Sequence, residues 1–345
     1  MRIRRSIFIL MMGLFVLWPL ATGFGQTNIA DIQRGAEKTA QALAVALPFN
    51  STVGLNWSDA YIGQILGVPP HFGVGITAGA TTVPTVDLKP LLTNMGVSLP
   101  AGVDKVLPLP VAVAEARVGG ILLPFDVGIK AGYIPDSLGN TIKGTTGGLA
   151  VKYLLVGADI RYAVLKGNLV LPTVSVGLGV NYMDGGLGTT ISGGGASFTY
   201  NDGTGNHTIA ATDPEVGVSW QATTVDLKAQ ISKGFLFFTP YAGLGATYGT
   251  SRAGYYVKSN LTYDDGGSID PAEIQSIKNY LQSQGVAVPD ISATGIESYF
   301  EKSGWAFRAY GGFSFNLAVM KFDLTGLYNF SDGSYGASLG LRFQL

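Results

Sequence analysis

The last eleven residues constrain the fold most. They run Tyr335-Gly336-Ala337-Ser338-Leu339-Gly340-Leu341-Arg342-Phe343-Gln344-Leu345, with every odd position apolar and every even position small or polar. A period of two predicts a strand with one oily face and one polar face. The same period recurs upstream in Val74–Ala80, Ala112–Val118, Phe125–Tyr133, Leu149–Val164, Val174–Tyr182, Val216–Ile231, Ala242–Tyr248, Trp305–Leu317 and Met320–Phe330. Two of these segments change parity internally, near Val156 and between Ala222 and Val225. A bulge inside one long strand is the expected reason in each.

The charged residues within the segments all fall on the polar parity. They are Glu115, Arg117, Asp126, Lys130, Lys152, Asp159, Arg161, Asp226, Lys228, Arg308, Lys321, Asp323 and Arg342. Large aromatics stand at the ends of the apolar parity. Tyr133, Tyr182, Tyr248, Tyr328, Phe330, Trp305 and Tyr335 fall at one level, and Phe125, Phe238, Phe313, Phe315 and Phe343 at the other. Two aromatic girdles around a greasy band, with short connections at one end and long ones at the other, predict an all-β, antiparallel transmembrane barrel. The count is roughly ten strands, in a range of about 8–14. The charged parity is then expected to line the lumen.

The stretch Ser338-x-Gly340-x-x-Phe343-x-Leu345 resembles the C-terminal signature of bacterial outer-membrane β-barrels. In that family the last strand closes the barrel and carries the signal read by the barrel-assembly machinery. The resemblance therefore implies an outer-membrane location with extracellular loops, and an assembly signal at Ser338, Gly340, Phe343 and Leu345. Terminal Leu345 departs from the family's usual Phe or Trp.

Composition narrows the rest. The 345 residues include 49 Gly and no Cys, and only 13% are charged. No disulfide or thiolate metal site exists. The net charge of -1 gives nothing for nucleic acid to bind. Residues 1–25 read as a secretory signal: Arg2, Arg4 and Arg5, then a short apolar run from Ile7 to Leu17, then small residues. Residues 26–72 form a second unit, outside the wall. Ile29, Ile32, Ala36, Ala40, Leu43 and Leu47 recur at helical spacing over 28–47, and 49–72 looks irregular. This segment is expected in the lumen as a plug or in the periplasm. The barrel occupies 73–345. Abundant inward Gly leaves space within it.

The long connection 249–304 contains a marked helix start. Asp270 caps, Pro271 takes the first position, Glu273 completes a capping box, and Ile269 with Ile274 makes a staple. An N-terminal plug with a helical extracellular loop resembles the plan of the FadL-type transporters of hydrophobic compounds, a family with more strands. The chain holds two His, His71 and His207, with no nucleophile motif beside either. No enzyme, metal or other cofactor is expected. The expected function is a channel or transporter for small polar or lipophilic solutes. The alternative is a structural or adhesive surface protein that works through its extracellular loops.

Overall fold

The computed structural model describes residues 27–84, 106–135, 137, 139, 141, 149–190, 195–201, 203, 205–264, 266–286 and 288–345. The expected signal segment 1–25 lies outside them. Ten strands form the wall: β2 (Phe72–Pro84), β3 (Val106–Gly119), β4 (Phe125–Tyr133), β5 (Leu149–Leu165), β6 (Thr173–Thr190), β9 (Glu215–Ser232), β10 (Phe238–Lys258), β14 (Gly295–Leu317), β15 (Met320–Asn329) and β16 (Tyr335–Gln344). All pair antiparallel, and β10 pairs with β14 to close the ring. The seam between the two ends of the wall is β16 on β2, from Gly336↔Thr81 to Gln344↔Gly73. The described helices include none long and apolar enough to cross a membrane.

The outward face is apolar over a continuous band, as a face against lipid must be. Val74, Ile76, Ile129, Ile160, Val176, Leu178, Val180, Leu227 and Leu339 are exposed on it. Phe238 to Tyr248 on β10 and Trp305 to Phe315 on β14 each span ten residue steps. At ~3.3 Å per step and a tilt near 40°, that is about 25 Å, the height of a lipid-facing band. Substituting Leu178 by Arg places a charge at mid-band and should cost about 2–4 kcal/mol. Gln221→Arg, on the same face but above Tyr182, should cost almost nothing. Urea unfolding in phospholipid vesicles measures both, and equal losses would count against the band.

Neither expected bulge is present. β5 runs in continuous register past Val156, with Leu155↔Met183 and Val156↔Tyr182, and its one irregularity lies at Ala163/Leu165. β9 is regular from Glu215 to Ser232 against β6. The parity changes have another cause. In the upper barrel the inward face is itself apolar: Leu155, Met183, Trp220 and Ala222 are buried there. They pack on helix α1 (Ile29–Asn50), whose Leu43, Ala44, Leu47 and Phe49 fill the same cluster.

The position of Lys152 is corrected for the same reason. It shares the outward parity of Leu154 and Val156, its side chain is 73% exposed, and its Nζ pairs with Asp184 at 2.7 Å. It stands on the outer surface above the band and does not face the lumen. Residues 51–71 are irregular, as expected, with no helix.

Above the barrel the long connections build a cap. Strands β1 (Thr27–Asn28), β7 (Gly195–Asn201), β8 (Asn206–Thr212), β11 (Leu261–Tyr263) and β12 (Gly267–Ser268) form a second sheet, and β13 (Asp290–Ser292) extends the wall beside β14. Helix α2 (Pro271–Ser283) starts with the full capping box: Asp270 Oδ1 accepts from the Ala272 and Glu273 amides, and Glu273 accepts from the Asp270 amide. Its Ile277 and Leu281 meet Tyr200, Ile209 and Leu261 in a core of the cap's own.

Candidate functional site: a charged lumen filled by the N-terminal segment

The chain crosses its own barrel before it becomes wall. β1 pairs with β7 in the cap, α1 descends through the upper lumen, and residues 51–62 continue through the lower lumen. The segment leaves beside the short turns, where the Ile65 amide donates to Gly120 O at 3.0 Å and the Gly119 amide to His71 O at 3.0 Å. β2 then begins at Phe72.

Residues 51–62 have no sheet partner among the described residues, so their backbone polar groups need side chains from the wall. Lys130 Nζ donates to Ser51 O at 2.6 Å and to Val53 O at 2.7 Å. Leu55 O accepts from Lys228 Nζ at 3.1 Å, and Gln230 Nε2 donates to Trp57 O at 2.7 Å. Arg161 donates to Asp59 O at 2.8 Å. In the other direction, Glu115 accepts from the Leu55 amide at 3.0 Å and from the Trp57 indole. Asp126 Oδ2 accepts from the Ile62 amide at 3.1 Å, and Ser232 Oγ from the Ala60 amide at 2.9 Å. The turn into this run needs Gly54, at φ +88°, where a Cβ would lie 2.8 Å from Glu115 Oε1.

The wall charges also pair with one another across strands. Arg117 bridges Asp126 at 2.5 Å and Asp159 at 2.7 Å. Arg161 pairs with Asp126 at 2.8 Å, Lys228 with Asp159 at 2.6 Å, and Arg308 with Asp226 at 2.5 Å. Asp59, from the lumenal segment, holds Lys321 at 2.7 Å and Arg342 at 2.9 Å, and Arg342 also meets Asp323 at 2.8 Å. Seven cations (Arg117, Lys130, Arg161, Lys228, Arg308, Lys321 and Arg342) thus face six carboxylates (Asp59, Glu115, Asp126, Asp159, Asp226 and Asp323). The lumenal carbonyls absorb the excess positive charge. Inward glycines make this geometry possible. A Cβ at Gly128 would stand 2.6 Å from Asp159 Oδ1 and 2.7 Å from an Arg117 terminal nitrogen, so only Gly lets the guanidinium cross to its partner.

Of the residues singled out in the sequence, twelve of the thirteen charges meet in this one network, and Lys152 does not. Sequence reasoning missed Asp59, Trp57, Gln230 and Ser232. The aperiodic stretch 51–62 carries no signal of its own beyond Gly54 and the absence of alternation. The two histidines stand at opposite ends of the molecule. His71 lies in the strap against Gly63, and His207 sits in the cap, stacked on Tyr263 with Nδ1 2.8 Å from Asp264. The Thr208 amide, with His207, holds the Asp264 carboxyl below the usual carboxylate range. Among the described residues no group of His, Asp and Glu is placed to hold a metal ion.

No family model and no curated protein matches the chain. Among solved structures, the toluene transporter TbuX of Ralstonia pickettii shares 10% identity at a TM-score of 0.25, over 80% of this chain and 89% of that one. The CymD monoaromatic hydrocarbon channel shares 9% at 0.22, over 79% and 87%. The transport unit of the autotransporter AIDA-I from Escherichia coli shares 9% at 0.21, over 92% and 98%. The closed ten-stranded wall is what decides the class, apolar outside and ringed by aromatics, because only a closed barrel leaves no unpaired edge in lipid. The chain is a transmembrane β-barrel protein. For such a barrel the interior decides the function, and here the interior is occupied by the protein's own residues 29–62.

Proposed function

We propose that this outer-membrane barrel is a channel closed by its own N-terminal segment, and that it passes small or hydrophobic solutes when residues 29–62 shift. One observation carries the reading. The lower lumenal segment is held by side chains reaching to its carbonyls, not by strand pairing. Water can replace such contacts, and the wall left behind is polar enough to hydrate. The upper lumen, with Leu155, Met183, Trp220 and Leu327, would offer a lipophilic solute an apolar vestibule once α1 moves. In this reading the cap faces the exterior and the short turns face the periplasm. The barrel-assembly machinery recognises the strand that holds Ser338, Gly340, Phe343 and Leu345.

A cystine lock tests the proposal. Ser51 Oγ lies 3.1 Å from Thr224 Oγ1, and the chain has no native Cys. The variant Ser51→Cys/Thr224→Cys should lose its openings in planar bilayers when oxidised and regain them on reduction. Identical traces in both states would remove the plug from any gating role. The structural or adhesive reading would then lead, favoured by a cap with its own apolar core.

A further inference from the structure

The short-turn end is apolar where water-facing turns are normally polar. Four turns join the wall strands there: the longer 120–124 after β3, 166–172 after β5 and 233–237 after β9, which project furthest, and the two-residue 318–319 after β14. Their tips are almost bare. Leu122 is 83% exposed, Leu169 96% and Leu236 96%, with Ile121, Val170 and Phe235 beside them. The strap at 63–71 adds Leu66 and Val68. An apolar ring on this scale has a counterpart.

Many carbonyls of these turns are met within the protein, whereas the amides of Ile121, Leu122, Leu169 and Leu236 have no partner among the described residues. In the first, the Gly120 carbonyl accepts from Ile65, the Ile121 and Leu122 carbonyls from Gln64 Nε2, and the Leu123 carbonyl from Phe125. In the second, Lys233 Nζ donates to the carbonyls of Asn168 at 2.6 Å, Leu169 at 2.8 Å and Leu171 at 3.1 Å. Asn168 Oδ1 accepts from the Val170 and Leu171 amides, both at 2.8 Å. In the third, the Phe235 carbonyl accepts from Phe238 and the Phe237 carbonyl from Asn316. A turn in water has no need of a lysine spent on three carbonyls. In hydrocarbon each carbonyl met in this way is one costly unsatisfied group fewer. The turns contain no acid, and the other lysine, Lys166, lies over the Tyr61 ring at 5.9 Å.

The two aromatic girdles differ in the same sense. Tyr133, Tyr182, Tyr248, Trp305, Tyr328 and Tyr335 at the upper level each carry a polar atom, as interfacial rings do, with Phe307 and Phe330 as the exceptions. The lower level is Phe125, Phe238, Phe313, Phe315 and Phe343, with Tyr162 as the exception. Phenylalanine has no such atom and does not mark a water boundary. From Phe238 to Tyr248 the strand covers ten residue steps, about 25 Å of height at ~3.3 Å per step and a tilt near 40°, so the turn below Phe238 falls within a hydrocarbon core of ~30 Å.

We propose that these three turns sit among phospholipid acyl chains, so that the short-turn end is a hydrophobic foot inserted in one leaflet. The foot is continuous with the lipid-facing band, and that continuity selects lipid over a protein partner. This inference rests on the barrel's place in the membrane and not on transport, so failure of the channel reading leaves it standing.

The Cys-free chain permits a direct measurement. Single variants Leu122→Cys, Leu169→Cys, Val170→Cys and Leu236→Cys are spin-labelled in the full chain and reconstituted in phosphatidylcholine/phosphatidylglycerol vesicles. Only the heat-modifiable, folded fraction is kept. Power saturation with oxygen and a water-soluble nickel chelate then reports depth. The turn labels should collide with oxygen in preference to nickel, as a label at mid-band Leu178→Cys does, while Gln282→Cys on the cap should favour nickel. Nickel-favoured turn labels would overturn the proposal. If they were nickel-favoured in vesicles yet shielded in native membranes, the ring would belong to a protein partner, which also overturns it.

Discussion

A chain lacking Phe343–Leu345 should fail to form a barrel at all. These residues lie at the seam. Phe343 pairs with Met320 on β15 and with Val74 on β2. The Leu345 amide donates to Phe72 O at 2.9 Å and the Gln344 amide to Val319 O at 2.8 Å. Removing them strips the start of β2 and the start of β15 of partners inside the lipid band. Each backbone group left unsatisfied in hydrocarbon costs several kcal/mol, and a few of them consume the ~5–15 kcal/mol that typically separates folded from unfolded. The same residues belong to the stretch that resembles the family's assembly signal, so recognition should suffer as well. Heat-modifiable gel mobility and protease sensitivity in isolated membranes read the outcome. A truncated chain that still migrates as a compact, heat-sensitive band would show that neither the seam nor the signal depends on these residues. Leu345→Ala alone keeps its amide and should assemble.

The barrel was legible from period two because a two-sided wall repeats the same instruction along every strand. Val176 and Leu178 face lipid, Ser175 faces inward, and the register follows. What parity does not state is which face is inside. The rule that apolar means outside holds in the lower barrel, where the lumen is charged. It fails in the upper barrel, where α1 presents Leu43, Leu47 and Phe49 to the wall and makes Leu155 and Trp220 inward residues. That failure turns two regular strands into apparent bulges and places Lys152 on the wrong side. The path of 51–62 was illegible for a different reason. It is held through its own backbone carbonyls and amides, which every residue has, so no side-chain pattern marks it. Asp59 reads as one acid in a loop until Lys321 and Arg342, far along the chain, arrive beside it. The apolar turns were visible in the letters. Their significance depends on how much of Leu169 and Leu236 the fold leaves uncovered, and that needs the structure.

Asp126 should prove the most sensitive single position in the lumen. It is fully buried, and both of its oxygens are committed. Oδ1 accepts from Arg117 at 2.5 Å and from Arg161 Nε at 2.8 Å, while Oδ2 accepts from Arg161 at 2.9 Å and from the Ile62 amide at 3.1 Å. Asp126→Ala removes one carboxylate from a network already short of them and leaves two guanidinium groups under-paired. Breaking a buried pair from one side typically costs about 3–5 kcal/mol, because the charge left behind has lost its solvent and its partner. Arg117 retains Asp159, and Arg161 retains only the Asp59 carbonyl among its hydrogen-bond partners here, so the loss should fall mainly on Arg161. It follows that Asp126→Ala/Arg161→Met should be more stable than the sum of its single variants by roughly 0.5–3 kcal/mol, the range for groups in one network. Urea unfolding in vesicles supplies all three values. The single variant should also loosen the exit of the lumenal segment, since the Ile62 amide loses its acceptor, and amide exchange at Ile62 should quicken before global unfolding does. A cost below ~1 kcal/mol for Asp126→Ala would mean that water reaches the site and screens it, as for an exposed pair. The lumen would then be wet around the segment, and displacing residues 51–62 would be correspondingly easier.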